Sequence, residues 1–279
     1  MSLQSRAVTM TKQMIQIEST DPGTYENAMA DWITTQLAPY PNVRLSRQEV
    51  LPGRPNLIAE LTGDPSLPAL VMICHMDTVV VGDGWTLPPF DAIEKDGKIY
   101  GRGACDMKSG LACCLSAFQY AAETLQTSGK TPKQTLKLIC SMDEEDFMRG
   151  SEACIQAGWV TDHDWVIDAE PTNGQIQMAH KGRTWYEIDV QGHTAHASTP
   201  WKGADAIAAM AEIIREIRHA ILYAPVHPDM GSSTVTFGQI TGGYRPYVVP
   251  DHCKVWIDMR LVPPLNTEKT NAIVEAAIE

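Results

Sequence analysis

The sequence predicts an α/β fold: a mostly parallel sheet flanked by helices, followed by a smaller α+β domain. Three observations predict it. The runs "ALVMIC" (69–74), "TLKLICSM" (135–142) and "DWVIDA" (164–169) are continuously apolar and short. Helical patterns separate them, and apolar strands alternating with helices describe a sheet covered on both faces. Beyond about residue 176 the texture changes to strict apolar–polar alternation, the sign of half-exposed antiparallel strands.

Taken in order, residues 25–38 place Met29, Trp32, Ile33 and Leu37 on one helical face. Strand candidates follow near 43–50 and 56–61. The segment 109–126 reads as a helix with Leu111, Leu115, Phe118 and Leu125 facing inward, and "SEACIQAG" as a shorter helix between the second and third runs. In the second half, "TWYEIDVQG" sets Tyr186, Ile188 and Val190 on one face. "HCKVWIDMRL" does the same with Cys253, Val255, Ile257, Met259 and Leu261. Between them lies a long amphipathic helix with Ile207, Met210, Ile214, Ile217 and Ile221 in line. A strand near 233–241 and a helix from about 265 complete a β-α-β-β-α unit. The expected domains are 1–175 and 176–279.

The 279 residues suffice for two domains, each with its own core. The net charge of −12 argues against nucleic acid or an anionic membrane as the main partner. No apolar run approaches transmembrane length, and the first residues lack the apolar core of a secretory signal. Seven cysteines, an odd number with no CxxC among them, suit free thiols in a reducing cytoplasm.

The chemistry concentrates at strand ends. The first run closes on His75 and Asp77, the second on Asp143, Glu144 and Glu145, the third on Asp168 and Glu170. In open α/β sheets, sites form outside the carboxyl ends of the strands, so these groups are expected to converge. Asp106, in "GRGACDMKSG" before the long helix, is a further acid. Such a cluster requires a compensating charge. Imidazole and carboxylates without thiolates suit Zn²⁺, Mn²⁺ or Co²⁺, and several carboxylates with few histidines suit a two-metal site. Residues two apart on a strand share a face, so His75 can bind a metal while Asp77 supports it from beside. Read singly, each has a plainer role: a core histidine, a solvated acidic loop, a turn at "GRG", a local cap at Asp168.

The series "HMDTV", "GWTLPPFDAIEKDGKIYGRGACDMKSGLA", "DEE" with "GSEA", "EPT", "GHTAHASTP" and "GG…VVPD…IDMR" resembles, along essentially the whole chain, one family. It is that of acetylornithine deacetylase, succinyl-diaminopimelate desuccinylase and carboxypeptidase G, dinuclear zinc hydrolases. The resemblance implies a catalytic α/β domain with an inserted lid that dimerises. It implies His75, Asp106 and Glu170 as ligands of one metal, with Asp106 bridging to a second held also by Glu145. Asp77 would steady His75, and Glu144 would be the general base. Asp168 is the runner-up for the place of Glu170. His196 matches a lid histidine that reaches a neighbouring subunit's site, with His193 as a near alternative. Arg260 and, less directly, Arg245 are candidates to meet a substrate carboxylate; surface salt bridges are the competing role. The implied cofactor is Zn²⁺, up to two ions, with Co²⁺ or Mn²⁺ as substitutes. The implied substrate is an N-acyl amino acid or short peptide, and the implied assembly a cytoplasmic homodimer.

Two departures qualify the resemblance. Tyr247 stands before "VVP", where relatives usually carry Asn. The family's chain also returns from the lid to complete the catalytic domain and supply a last metal-binding histidine, whereas no histidine follows His252 here. The catalytic domain is therefore expected to lack its C-terminal part, about a quarter to a third of the chain, and with it a complete second metal site. A non-catalytic dimerising or ligand-binding module is the alternative.

Overall fold

The computed structural model of the protein describes residues 2–279. The chain divides into two compact units, Met1–Gln175 and Ile176–Glu279. The first contains α1 (Leu3–Ile15), β1 (Thr20–Asp21), α2 (Asn27–Leu37), β2 (Arg44–Leu51), β3 (Arg54–Leu61), β4 (Leu70–His75), β5 (Thr78–Val79), β6 (Ile93–Lys95), β7 (Lys98–Tyr100), α3 (Lys108–Ser128), β8 (Leu136–Ser141), α4 (Arg149–Gln156) and β9 (Trp165–Asp168). The second contains β10 (Gly182–Gln191), α5 (Ala206–Leu222), β11 (Thr234–Gly242), β12 (His252–Leu261) and α6 (Thr267–Ile278).

A five-stranded sheet in the order β2-β3-β8-β4-β9 organises the first unit. β8, β4 and β9 run parallel, while β2 and β3 add an antiparallel edge. The register sets the site. His75 at the end of β4 pairs with Ser141 at the end of β8, and Ile73 pairs with Asp168 at the end of β9. All three strands therefore release their following residues at the same edge, as parallel strands must when their ends are level. A two-stranded parallel pair, β1 with β5, fixes the segment just after His75 against Thr20 and Asp21.

The first core packs α1, α2 and α3 against the sheet. Met29, Ile33 and Leu37 of α2 and Leu111, Leu115 and Phe118 of α3 are buried, the faces that helical spacing selects. α3 ends where Gly129 adopts a left-handed conformation, φ 62°, a helix stop at which glycine carries no side-chain penalty. One part of the sequence reading changes. The "DWVIDA" run is expected to be covered on both faces, yet Trp165, Val166 and Ile167 are 68, 50 and 50% exposed. Among the described residues β9 is the edge of the sheet and pairs with β4 alone, so apolarity reported strand character but not coverage.

The second unit is a three-stranded antiparallel sheet, β10-β12-β11, packed on α5 and α6. Cys253, Val255, Ile257, Met259 and Leu261 are all buried on one face of β12, as alternation requires. On α5 the buried stripe runs through Met210, Ile213, Ile217 and Ile221, while Ile207 is 43% exposed. Asp205 caps α5 through the Ala208 N–H at 2.9 Å, and Asn266 caps α6 through that of Lys269 at 3.0 Å. No helix among the described residues is long and apolar enough to cross a membrane.

Candidate metal centre

The edge at which β4, β8 and β9 end gathers one imidazole and four carboxylates. His75 is the floor, with its side chain 1% exposed. Its Nδ1 lies 2.9 Å from the backbone carbonyl of Asp77. A carbonyl can only accept, so Nδ1 carries a proton, and Nε2 is the nitrogen whose lone pair a cation would meet once its own proton is displaced. That nitrogen faces Asp106 Oδ1 at 3.0 Å, Glu170 Oε1 at 3.3 Å and Glu144 Oε2 at 3.9 Å. Ligand atoms of His75, Asp106 and Glu145 lie within 4.8 Å of one another, as do those of His75, Glu144 and Glu170.

Asp77 stands beside the ring as the strand spacing suggests, and it does more than support it. Its carboxylate stands 3.6 Å from His75 Nδ1, while its carbonyl makes the closer contact with the ring. Its two oxygens also accept the backbone N–H groups of Glu144 at 3.2 Å and Glu145 at 3.0 Å. One buried acid thus orients both the imidazole and the acidic loop.

The electrostatics describe a site short of positive charge. Burial pushes Glu145 up to about 7, and Asp106 beside it acts in the same direction. Burial alone would lower His75, but hydrogen bonds to Asp106 and Glu170 prevail and raise it to about 11. The His75 hydrogen bond in turn pulls Asp106 below its ordinary value. In the metal-free protein an imidazolium proton therefore stands where the donor set would hold a cation. Neutral imidazole nitrogen with several carboxylate oxygens fits Zn²⁺, Co²⁺ or Mn²⁺. Asp106, Glu144 and Glu170 have side chains 52, 29 and 31% exposed, so the cluster opens to solvent above a buried floor.

Asp168 belongs to none of the metal-capable groups among the described residues. The remaining candidates lie in the second unit. His196 pairs with Val248 in an isolated antiparallel bridge, and its Nδ1 sits 2.8 Å from Ser198 Oγ. His193 pairs likewise with Ala204. The Arg260 Nε donates to Asp258 at 2.9 Å, the salt-bridge role weighed for it. Arg245 lines an open groove of about 650 Å³ with Asp205, Ile207, Tyr244 and Val248. The carbonyl of Tyr247 accepts the N–H of Ala197, which ties the segment bearing the Asn-to-Tyr departure to the loop bearing His196.

Sequence reading missed the groups that hold the loop from behind. Arg54 and Asn56, two apart at the head of β3, contact Asp143 and Met142. The signal was present, since "GRPNLIAE" places polar groups inside an apolar strand just as "ICHMDT" does. Lys108 is a second omission. It is fully buried in the first turn of α3, where a cation is disfavoured by the helix dipole, and its Nζ donates to the Ile17 carbonyl at 2.7 Å.

Residues 71–249 match the Peptidase family M20/M25/M40, and the chain belongs to that family. A probable succinyl-diaminopimelate desuccinylase of Staphylococcus aureus is 31% identical over an alignment of 242 positions that covers 77% of this chain and 59% of that protein. An acetylornithine deacetylase of Photorhabdus laumondii is 32% identical over an alignment of 233 positions that covers 81% of this chain and 58% of its own length. The chain thus spans less than two thirds of these relatives. Among solved structures, an M20 family metallo-carboxypeptidase from Sulfolobus solfataricus superposes with a TM-score of 0.75 at 17% identity, covering 98% of this chain and 75% of that one. An aminopeptidase from Bacillus cereus gives 0.66 at 23%, covering 99 and 71%. At these identities the structural likeness concerns the fold.

Proposed function

We propose that this protein provides the metal-binding part of a hydrolase that cleaves the amide bond of an N-acyl amino acid or short peptide. The observation that carries the reading is the His75 ring. Its Nδ1 is committed to a carbonyl, and its Nε2 is aimed into Asp106, Glu170 and Glu144. Family membership and the desuccinylase and deacetylase relatives support the substrate class.

His75, Asp106, Glu145 and Glu170 would hold up to two divalent ions, Zn²⁺ first. When bound, such ions polarise a carbonyl and bring the pKa of water towards neutrality. The protein's own groups do the rest. Glu144 takes a proton from the attacking water and returns it to the departing amine, as a carboxylate at the edge of the cluster can. Asp77 fixes the ring and the loop. Residues 1–175 act as the catalytic domain and 176–279 as a lid through which two copies pair. On this reading His196 supplies a donor to the developing oxyanion, and Arg245 or Arg260 receives a substrate carboxylate.

The test is a hydrolysis screen of N-succinyl and N-acetyl amino acids and dipeptides, with Zn²⁺ or Co²⁺ supplied, beside a metal titration. Metal-dependent release of the free amine from one of these classes is expected. A wild-type protein that binds neither ion tightly would sink the reading.

A further inference from the structure

Behind the acidic loop lies a second set of charges that the metal cluster does not use. Arg54 opens β3 with a side chain only 9% exposed. Its Nε donates to Glu26 Oε2 at 2.9 Å and its Nη2 to the other oxygen of Glu26. The same Nη2 reaches Asp21 Oδ2 at 2.5 Å and lies 3.3 Å from Asp143 Oδ1. The guanidinium rests on the Tyr25 ring, 4.2 Å from its centroid. Asp77 shares this neighbourhood, with an oxygen within 4.8 Å of one on Asp21 and one on Glu26. Carboxylates packed so closely repel, and one fixed guanidinium with its fork of donors can bind several of them at once.

These contacts end on the loop backbone. Glu26 Oε1 accepts the Asp143 N–H at 3.1 Å. Asp143 holds φ 63°, a conformation that a residue with a side chain rarely adopts unaided. From the solvent side Arg149 grips the Asp143 carboxylate through Nε and Nη2, both at 2.6 Å. Asn56, on the same face of β3 as Arg54, accepts the Met142 N–H at 3.0 Å and donates to the Gly150 carbonyl at 2.8 Å. Strand β3 therefore holds the loop at its start and at its end. Glu144 and Glu145 project from the part between.

We propose that Arg54 is a positioning residue for the metal centre: by holding Glu26 and Asp143 it sets where Glu144 and Glu145 stand relative to His75. Its action on metal rests on the functional reading above; its action on the loop does not. The test compares Arg54→Met, Arg54→Lys and Arg149→Met with the wild type by two measurements. One is amide hydrogen exchange of the metal-free protein, followed by mass spectrometry. The other is calorimetric titration with Zn²⁺.

Arg54→Met is expected to speed exchange over 142–149 at least about tenfold, with peptides of β12 unchanged. It is expected to weaken Zn²⁺ binding by about 10- to 100-fold, the usual effect of removing a group that orients a ligand. Arg54→Lys keeps the charge but not the fork, and is expected to fall between Arg54→Met and the wild type in both. Arg149→Met, which leaves the buried contacts in place, is expected to change each less. Should Arg54→Met not fold, Arg54→Lys decides. Unchanged exchange over 142–149 overturns the proposal. So does faster exchange with wild-type Zn²⁺ affinity, which would leave Arg54 a folding role alone. If the wild type itself binds no Zn²⁺, the metal reading fails, and the exchange measurement still judges Arg54.

Discussion

The carboxylate of Asp77 accepts the backbone N–H of Glu145 at 3.0 Å through one oxygen and that of Glu144 at 3.2 Å through the other. Both oxygens are used as acceptors, which an amide cannot match because one of its ends is a donor. Asp77→Asn therefore turns one of these contacts into donor against donor in a site with no exposure. The expected result is a loss of about 1–3 kcal/mol of stability, the cost of an unsatisfied buried group. Zn²⁺ affinity should fall about 10- to 100-fold. Urea unfolding and metal titration check the two parts. A variant with wild-type values in both would remove Asp77 from its place as organiser.

Glu144 and Glu145 are neighbours with separate predicted fates. Glu145 belongs to the His75–Asp106 group, and Glu144 stands 3.9 Å from the imidazole with a side chain 29% exposed. In an active chain, Glu144→Gln is expected to retain metal within a few-fold and to lose about 10²–10⁴ in turnover, the range attributed to a general base. Glu145→Gln is expected to lose metal affinity first. Turnover and metal content measured on the same preparations separate these outcomes. A Glu144→Gln enzyme near wild-type rate would end the base assignment.

Gly110, in the first turn of α3, abuts the strand end that carries Glu170. A Cβ built there would lie 2.2 Å from the Ala169 carbonyl oxygen, and backbone on the far side cannot swing away. Gly110→Ala is expected to cost about 1–3 kcal/mol, as overpacking does, and to move Glu170 off its 3.3 Å approach to His75. Lower urea resistance together with weaker Zn²⁺ binding is the expected pair of results. Loss of one without the other would show that helix and strand are not coupled in this way.

These predictions divide by how they could be read from sequence. The convergence of His75, Asp106, Glu144, Glu145 and Glu170 was legible because level parallel strand ends turn distant acids into neighbours, and three apolar runs ended in acid. The β-α-β-β-α unit was legible because burial on one face leaves a period of two, as on β12. The exposure of Trp165–Ile167 was not, because an apolar run records what a strand can bury, not what lies over it. Nor was the Arg54 network. Its partners Asp21, Glu26 and Asp143 come from three separate segments, and a pairing between distant loops leaves no periodicity. On α5 the structure buries Ala206 and Ile213 where the spacing pointed to Ile207 and Ile214; both stripes keep three-and-four steps, so spacing alone does not choose between two neighbouring faces of one helix.

The protonation of the site gives a pH dependence whose sign follows from three groups. Glu145, raised by burial to about 7, binds a proton in the folded state between 4.5 and 7 that the unfolded chain has released, so stability falls as pH rises through that window. His75, raised to about 11, adds stability that is complete below 6.5 and is lost as pH climbs to about 11. Lys108, lowered by burial to about 7, acts oppositely: the unfolded chain holds its proton up to 10.5, so stability rises from 7 to 10.5. The metal-free protein is therefore expected to lose stability from pH 5 to 7 and to change little from 7 to 9, where His75 and Lys108 oppose each other. Lys108→Met removes the opposing contribution, so its stability should keep falling above pH 7. Metal must displace the same protons, about two below pH 7 and about one above it, so Zn²⁺ affinity should climb roughly 100-fold per pH unit and then tenfold. Unfolding in chelator at pH 5, 7 and 9, and calorimetry in buffers of different ionisation enthalpy, read both effects. A flat stability between pH 5 and 7 with no proton release on Zn²⁺ binding would contradict the charge arrangement drawn around His75.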